Sequence, residues 1–395
     1  MSAPNSHAKD PLRVYGISPL VGFALQDPEE KLPIEFHPWI EILHDSENLL
    51  KSKQFRSRVD QLSVLDYERL ISYKHQRLAR LVLCLLVQGY VWQDGDAGVL
   101  QSIPKCLAVP FHKLSMKLGW PAMITHADMM SNYKKIDPNC PLELSNLKLI
   151  FSLCGGKSFE WFFLIPLQME INFAQHILPH ILQSREAIVN KDTKTLGDAL
   201  CKYSHGVEMM TATLTRMHEH CDPREFYNFR AFLAGWQSNV FKGGIIYEGI
   251  SSTPVKHPGA SAAQSSTLHC CDEVLGVKHG ESAWTFLSEM RQYMPPGHRE
   301  FIASLVKGPS IRDFVISQND VGLAESYNKA LLSLVHFRDY HIQVVVRYIV
   351  IPSHQTDCKK SHESLANVGT GGSGVLPFLK SVRDTTKAHL LPLPA

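Results

Sequence analysis

In the run HFRDYHIQVVVRYIVIP, residues 336–352, an arginine and a histidine three positions apart interrupt a helical apolar pattern. Leu331, Leu334, Val335, Val345 and Ile349 recur at the spacing of one helix face, and Arg338 and His341 fall on that same face. Two polar side chains aimed at a core need partners. A buried guanidinium without an anion is costly, and a neutral imidazole there needs a donor, an acceptor or a metal. Two readings satisfy both groups. In one, Arg338 meets a carboxylate and His341 a carbonyl, and the pair is ordinary core packing. In the other, the partner is at once a metal and an anion: a haem, whose iron takes the imidazole and whose propionate takes the arginine. No CxxCH motif is present, so such a haem would be held without a covalent link.

Other histidine and cysteine clusters have weaker chemistry. His176 and His180 have the i,i+4 spacing of helical zinc ligands, but they lack the glutamate of HExxH and have Pro179 between them. His218 and His220, in MHEHC, read as a solvated helix end. Cys270 and Cys271 are adjacent with no spaced partners, which suits buried free thiols. With nine cysteines and no CxxC pair, a disulfide framework or a zinc ribbon is not indicated.

The elements that must position these residues are helical. DYERLISYKHQRLARLVLCLLVQGYVW (Asp66 to Trp92), TKTLGDALCKYSHGVEMMTATLTRMHEH and AESYNKALLSLVHFRDYHIQVVVRYIVI all carry 3.6-residue periodicity, and Pro352 ends the last. FEWFFLIPLQMEINFAQHILPHIL is apolar nearly all round, which suits a buried helix that Pro166 and Pro179 should kink or segment. HPGASAAQSS (His257 to Ser266) reads as a loop of small residues with a helix cap at Ser265 or Ser266. Small residues there also let backbone approach a bulky ligand. SHQTDCKKSHESLANVGTGGSG has little that could form a core and reads as a mobile loop before a last short helix.

Strand-like alternation is scarce, so the chain reads as mainly α. Its 395 residues, 44% hydrophobic, suffice for two domains. A net charge of +2 implies no nucleic-acid partner. The apolar run around LARLVLCLLVQGYVW is broken by Arg80 and Gln88, which argues against a membrane span. The polar start, without an apolar signal core, points to a reduced, cytoplasmic protein.

Several of these stretches together (RDYHIQVVVRYIVIP, YMPPGHREFIASL, YEGI, GASAAQSS, HQRLARLVLCLLVQGYVWQDGD and GTGGSGVLPFLKSVRDTT) resemble indoleamine 2,3-dioxygenases, from about Tyr15 to about Leu391. The resemblance implies an all-α fold: a small N-terminal helical domain, residues 10–150, packed over a large haem-binding domain, residues 151–395, with a mobile loop at about 354–373. It implies ferrous haem b, O2 and an external electron donor. The substrate would be L-tryptophan or a related indoleamine, opened to N-formylkynurenine by a protein that acts as a monomer. His341 matches the proximal iron ligand, and Arg338 the arginine that pairs with an aspartate, here Asp272, beside a propionate. Ala260, Ser261 and Ala262 match the loop along the haem, with Ser261 and Ala262 also on the substrate side. Arg230 matches the arginine for the substrate carboxylate, Leu233 and Gly235 the pocket wall after it, and Thr370 the loop residue that closes over the amino group. Phe162 and Phe163 match the aromatic wall.

Some positions depart from the family pattern. Phe226 and Tyr227 stand four and three residues before Arg230 rather than five and four, so one residue is missing from that helix. Phe226 shares a face with Arg230 and is the ring expected on the indole. Pro166 replaces a distal serine on the cofactor side, Ala260 a glycine, and His126 a tyrosine, as in the second vertebrate paralogue. Met129 and Met130 follow His126. Two alternatives stay open: an oxygen carrier of the same fold, and a signalling protein using the tyrosine motif IIYEGI at Tyr247, which buried packing explains equally well.

Overall fold

The computed structural model describes residues 11–241, 243–354 and 374–394. Within them the chain is mainly helical, as the sequence predicts. Its strands are two pairs of two residues each: Ser102–Ile103 parallel to Ile246–Tyr247, and Lys134–Lys135 antiparallel to Leu147–Lys148. Thr370 and most of the loop expected at 354–373 lie outside the described residues.

The helices that build the site are, in chain order, α1 (Tyr73–Trp92), α2 (Lys157–His176), α3 (Thr193–Thr215), α4 (Pro223–Phe229), α5 (Ser266–Leu275), α6 (Val321–Val345) and α7 (Val375–Ala388). Short polar side chains set where most of them begin, by accepting a first-turn N–H that the helix cannot satisfy internally. Ser72 accepts from His75 before α1, Asp192 from Thr195 before α3, Asp222 from Arg224 and Glu225 before α4, and Asp320 from Leu323 before α6. α6 packs along α3 and α7, and α3 also packs on α2, so one buried layer joins the four. The apolar core is continuous across residue 150: Leu144 and Leu147 belong to the same buried cluster as Phe151, Leu153 and Phe159. A division into two domains at that point is held as a proposal.

Three expectations are corrected at the element ends. The helix expected from Asp66 begins only at Tyr73, because Tyr67–Arg69 forms a separate 3-10 turn and Ser72 supplies the cap. Pro166 does not segment α2, which runs unbroken through it, whereas Pro179 sits in the first turn of a new helix, Leu178–Val189, after a break at Ile177. A proline without an N–H costs nothing in a first turn. In mid-helix it removes one bond, which the burial of α2 against α3 offsets. Finally, the helix carrying His341 does not run regularly to Pro352. It widens into a π-turn at Val346–Val350 before Ile351–Ser353. Pro352 cannot donate to the carbonyl four residues back, so the helix reaches it through a wider turn.

The arginine that interrupts the apolar run of α1 is fully buried. Arg80 donates to the Asp128 carboxylate at 3.0 Å, to the carbonyls of Pro121 and Met123, and to Ser115 Oγ. Asp128 also accepts from the Thr125 N–H, so one carboxylate fixes both α1 and the short turn that carries His126. Among the described residues no helix is long and apolar enough to cross a membrane. Asp128→Ala leaves Arg80 buried without an anion and should cost about 3–5 kcal/mol of stability, read from urea denaturation. A loss below about 1 kcal/mol would mean that the carbonyls satisfy Arg80 by themselves.

Candidate active site

A cavity of about 1500 Å³, its mouth included, opens between α2, α3, α5, α6 and α7 and the turn that follows α4. His341 is on its wall, with Phe337 one turn earlier and Val344 and Val345 one turn later. The Phe337 and His341 rings lie 6.4 Å apart and nearly parallel. The imidazole makes no hydrogen bond to any described residue, and burial, then the charge of Arg338, lowers its pKa to about 4. It is therefore a neutral ring with a free lone pair, facing an apolar space.

Arg338 turns away from the cavity. One of its terminal nitrogens donates to both carboxylate oxygens of Asp272 at 2.7 Å, and the other donates to Thr386 Oγ1. Asp272 also hydrogen-bonds His279 Nε2 at 2.9 Å. Burial alone would raise the Asp272 carboxyl, but Arg338 and then His279 hold it down at about 2. The structure thus takes half of each reading of the two residues. Arg338 has its carboxylate, and His341 has no carbonyl.

A second group of residues lines the cavity from α2, α4 and the 3-10 turn Arg230–Leu233 that follows α4. Phe162, Pro166, Met169 and Glu170 come from α2, Phe226 from α4, and Arg230 and Leu233 from the turn. Arg230 is fully buried, with its guanidinium 5.0 Å from the Tyr227 ring centre. Burial lowers its pKa only to about 10, so it stays charged at neutral pH. The loop Ala260–Ala263 and His126 with Met129 complete this end. His126 is held neutral by burial, with a pKa of about 4.

A sequence model of the family described as Indoleamine 2,3-dioxygenase matches residues 11–389. The chain is 40% identical to Indoleamine 2,3-dioxygenase 1 of Rattus norvegicus, over 99% of this chain and 98% of the relative. It is 37% identical to Indoleamine 2,3-dioxygenase 2 of Homo sapiens, over 98% of each chain. It is also 34% identical to the Myoglobin of Haliotis madaka, over 95% of this chain and 98% of that one. The chain belongs to the indoleamine 2,3-dioxygenase family. Membership bears out the expectation of an all-α dioxygenase enzyme.

As a member of that family, the chain brings most of the expected residues to one cavity: His126, Phe162, Pro166, Phe226, Arg230, Leu233, Ala260, Ser261, Ala262 and His341. Three expected wall residues do not reach it. Tyr227 is fully buried with its ring against the Arg230 guanidinium, because it follows Phe226 by one residue and so points about 100° round the helix from it. Gly235 lies behind the wall, where its backbone crosses the 257–259 loop: a Cβ there would stand 2.1 Å from the His257 carbonyl oxygen. Phe163 and Met130 are also buried off the cavity. Ser265 caps α5, as the plainer reading of that loop predicts, and also borders the cavity.

Other expectations fall out simply. Tyr247 is buried, donating to the Ala122 carbonyl and accepting from Trp236 Nε1 at 3.1 Å, which is the packing reading of its motif. Among the described residues no cluster could hold a metal through three His, Cys, Asp or Glu ligands, so His176 and His180 remain ordinary side chains. Cys270 and Cys271 are buried free thiols. His218 is not a solvated helix end but is bonded through both ring nitrogens. Glu170 and Tyr348 are cavity residues that sequence reasoning missed. For Glu170 the signal was there: it is an acid in the middle of an apolar helix, two turns on from Phe162. Burial raises its carboxyl to about 7.

The Asp272 pair makes acid stability testable. A carboxyl lowered from 3.8 to about 2 stabilises the fold fully above its ordinary pKa, and this is lost as pH falls through about 2. The advantage of the parent over Asp272→Asn should therefore shrink by about 2 kcal/mol between pH 5 and the acid limit, in denaturant titrations at each pH. A constant difference would mean that Asp272 titrates normally.

Proposed function

We propose that this protein is a haem-dependent dioxygenase that inserts both atoms of O2 into L-tryptophan, cleaving the indole C2–C3 bond to give N-formylkynurenine. The observation that carries this reading is one apolar cavity whose wall holds both a neutral imidazole with no described protein partner and a fully buried, charged guanidinium. The first suits a metal and the second a carboxylate. Relatives named as indoleamine 2,3-dioxygenases support the same activity.

The residues present fit haem b. His341 offers an unprotonated nitrogen to iron, in a cavity large enough for the macrocycle and lined mainly by apolar groups. The Arg338–Asp272 pair, which faces away from the cavity, is assigned beside a propionate on the strength of the resemblance alone, and Ala260, Ser261 and Ala262 would put small side chains along the cofactor. Ferrous haem supplies the O2 chemistry, as cofactors do for reactions that side chains cannot run.

The protein's own contribution is to hold the substrate. Arg230 binds the carboxylate. Phe226 and Phe162, with ring centres 4.9 Å apart, hold the indole plane. Leu233 and the His126–Met129 turn close the sides. Thr370, outside the described residues, is assigned to the amino group on the strength of the GTGG resemblance alone. Pro166 places no hydroxyl near the reacting atoms, and burial makes His126 only a weak base, with a pKa of about 4, so the chemistry depends on proximity. A separate electron donor keeps the iron ferrous, and the protein works as a cytoplasmic monomer.

The myoglobin-named relatives keep an oxygen carrier as the second reading. A carrier would need His341 but has no use for a buried cation on the cavity wall. Three measurements decide. His341→Ala should take up little haem, and normal haem content with an unchanged ferrous spectrum would remove it as the ligand. The parent should form N-formylkynurenine, less efficiently than relatives with the full-length helix before the arginine. No product at any tryptophan concentration would establish the carrier. Arg230→Leu should lower kcat/KM for tryptophan by roughly two to four decades, the equivalent of about 3–5 kcal/mol for one partner of a desolvated pair, with haem content unchanged. Tryptamine, lacking the carboxylate, should lose far less.

A further inference from the structure

His218 lies in the short turn Met217–His220 between α3 and α4, and its ring is bonded at both ends. Nδ1 is 3.0 Å from the Tyr348 hydroxyl, and Nε2 is 3.0 Å from the Tyr340 hydroxyl. The Tyr348 hydroxyl gives its own proton to the Cys221 carbonyl at 2.9 Å. It can therefore only accept from His218, which puts the imidazole proton on Nδ1 and leaves Nε2 to accept from Tyr340. The neutral ring has one donor and one acceptor, and both are used.

The two tyrosines are eight residues apart, about 12 Å along a helix at 1.5 Å per residue. Between them lie His341 and the start of the π-turn. His218 thus bridges the widened stretch of helix from outside. It also stacks on Tyr348, with ring centres 5.6 Å apart and planes 8° from parallel. Tyr348 in turn stands on the cavity wall and meets Phe226 edge-on, at 5.6 Å and 90°. Phe226 is the ring assigned to the indole, and it leans on Phe162.

We propose that His218 is a positioning residue for the substrate pocket: by bridging Tyr340 and Tyr348 it fixes the Tyr348 ring against Phe226, and so fixes the aromatic surface that receives the indole. His218 touches no substrate itself and acts through two rings in series. The need for such a brace follows from the pocket's construction. Phe226 sits on a helix of only seven residues, and the ring behind it stands on a π-turn, neither of which is stiff by its own hydrogen bonding. A ring misplaced by about 1 Å can cost on the order of 10²-fold in rate. The proposal rests on the tryptophan-binding reading of the cavity.

The test compares the haem-loaded parent with His218→Leu, His218→Gln, Tyr340→Phe and Tyr348→Phe. Haem content, kcat/KM and the Kd for L-tryptophan, by equilibrium dialysis, are measured for each. His218→Leu should bind haem normally and raise the Kd about tenfold, the equivalent of about 1.4 kcal/mol. His218→Gln, which keeps one donor and one acceptor, should return to within about threefold of the parent. Tyr340→Phe and Tyr348→Phe, each losing one arm of the bridge, should shift in the same direction as His218→Leu. A parental Kd in His218→Leu overturns the proposal, as does equal impairment of the Leu and Gln variants, which would make ring shape rather than bonding the cause. If His218→Leu fails to fold or to hold haem, parental Kd values in both tyrosine variants overturn it. A parent that binds no tryptophan overturns the reading of the cavity, and this proposal with it.

Discussion

The buried pair of Arg338 and Asp272 is the constraint around which the site is organised. Neither charge has water to solvate it, so each needs the other, and Asp272 draws in His279 while Arg338 draws in Thr386. These bonds join α6 to α5, the segment after α5, and α7. A one-residue slip of α6 would break them all, at a cost comparable to much of a domain's net stability. His341 stands one turn from Arg338 on the same helix, so holding the arginine in register also holds the imidazole at the cavity wall.

The cavity shows the opposite economy. Its lining is apolar apart from a few groups, and each exception has a physical reason to be tolerated. His341 and His126 are neutral because burial makes their charged forms too costly. Glu170 is shifted toward neutrality by burial while Thr267 donates to it at 2.8 Å. Among the described lining residues Arg230 is the one that keeps a full positive charge, with the face of Tyr227 against it. A fixed cation in a mainly apolar lining gives the described site a direction for an anionic end of a ligand.

Local backbone irregularities carry much of the geometry. The helix before Arg230 stops at Phe229 and tightens into a 3-10 turn, and both Phe226 and Arg230 reach the cavity. The helix after His341 widens into a π-turn, which brings Tyr348 and Ile349 to the same wall. One element is over-wound and the other under-wound, and the cavity-facing rings of Phe226 and Tyr348 meet between them.

Much of this was legible in the sequence because it depends on periodicity. An arginine and a histidine on an apolar stripe announced a buried polar pair, the cap at Ser265 followed from side-chain chemistry, and the quoted motifs pointed to the family. Other features depend on which segments meet, and one-dimensional spacing carries no such information. Spacing alone left Arg338 a choice of anions, and only the family resemblance named Asp272; that Asp272 meets it, and that no described carbonyl answers His341, was decided by how α5, α6 and α7 pack. Gly235 was expected on the wall and lies behind it because two loops cross there too closely for any Cβ. His218 looked like a solvated helix end because its partners lie more than 120 residues away in the chain. The sequence by itself determined which residues had to be buried and which of those needed partners. Only the tertiary structure decided who the partners are, because a buried polar group is satisfied by whatever folding brings within about 3 Å of it, however distant in the chain.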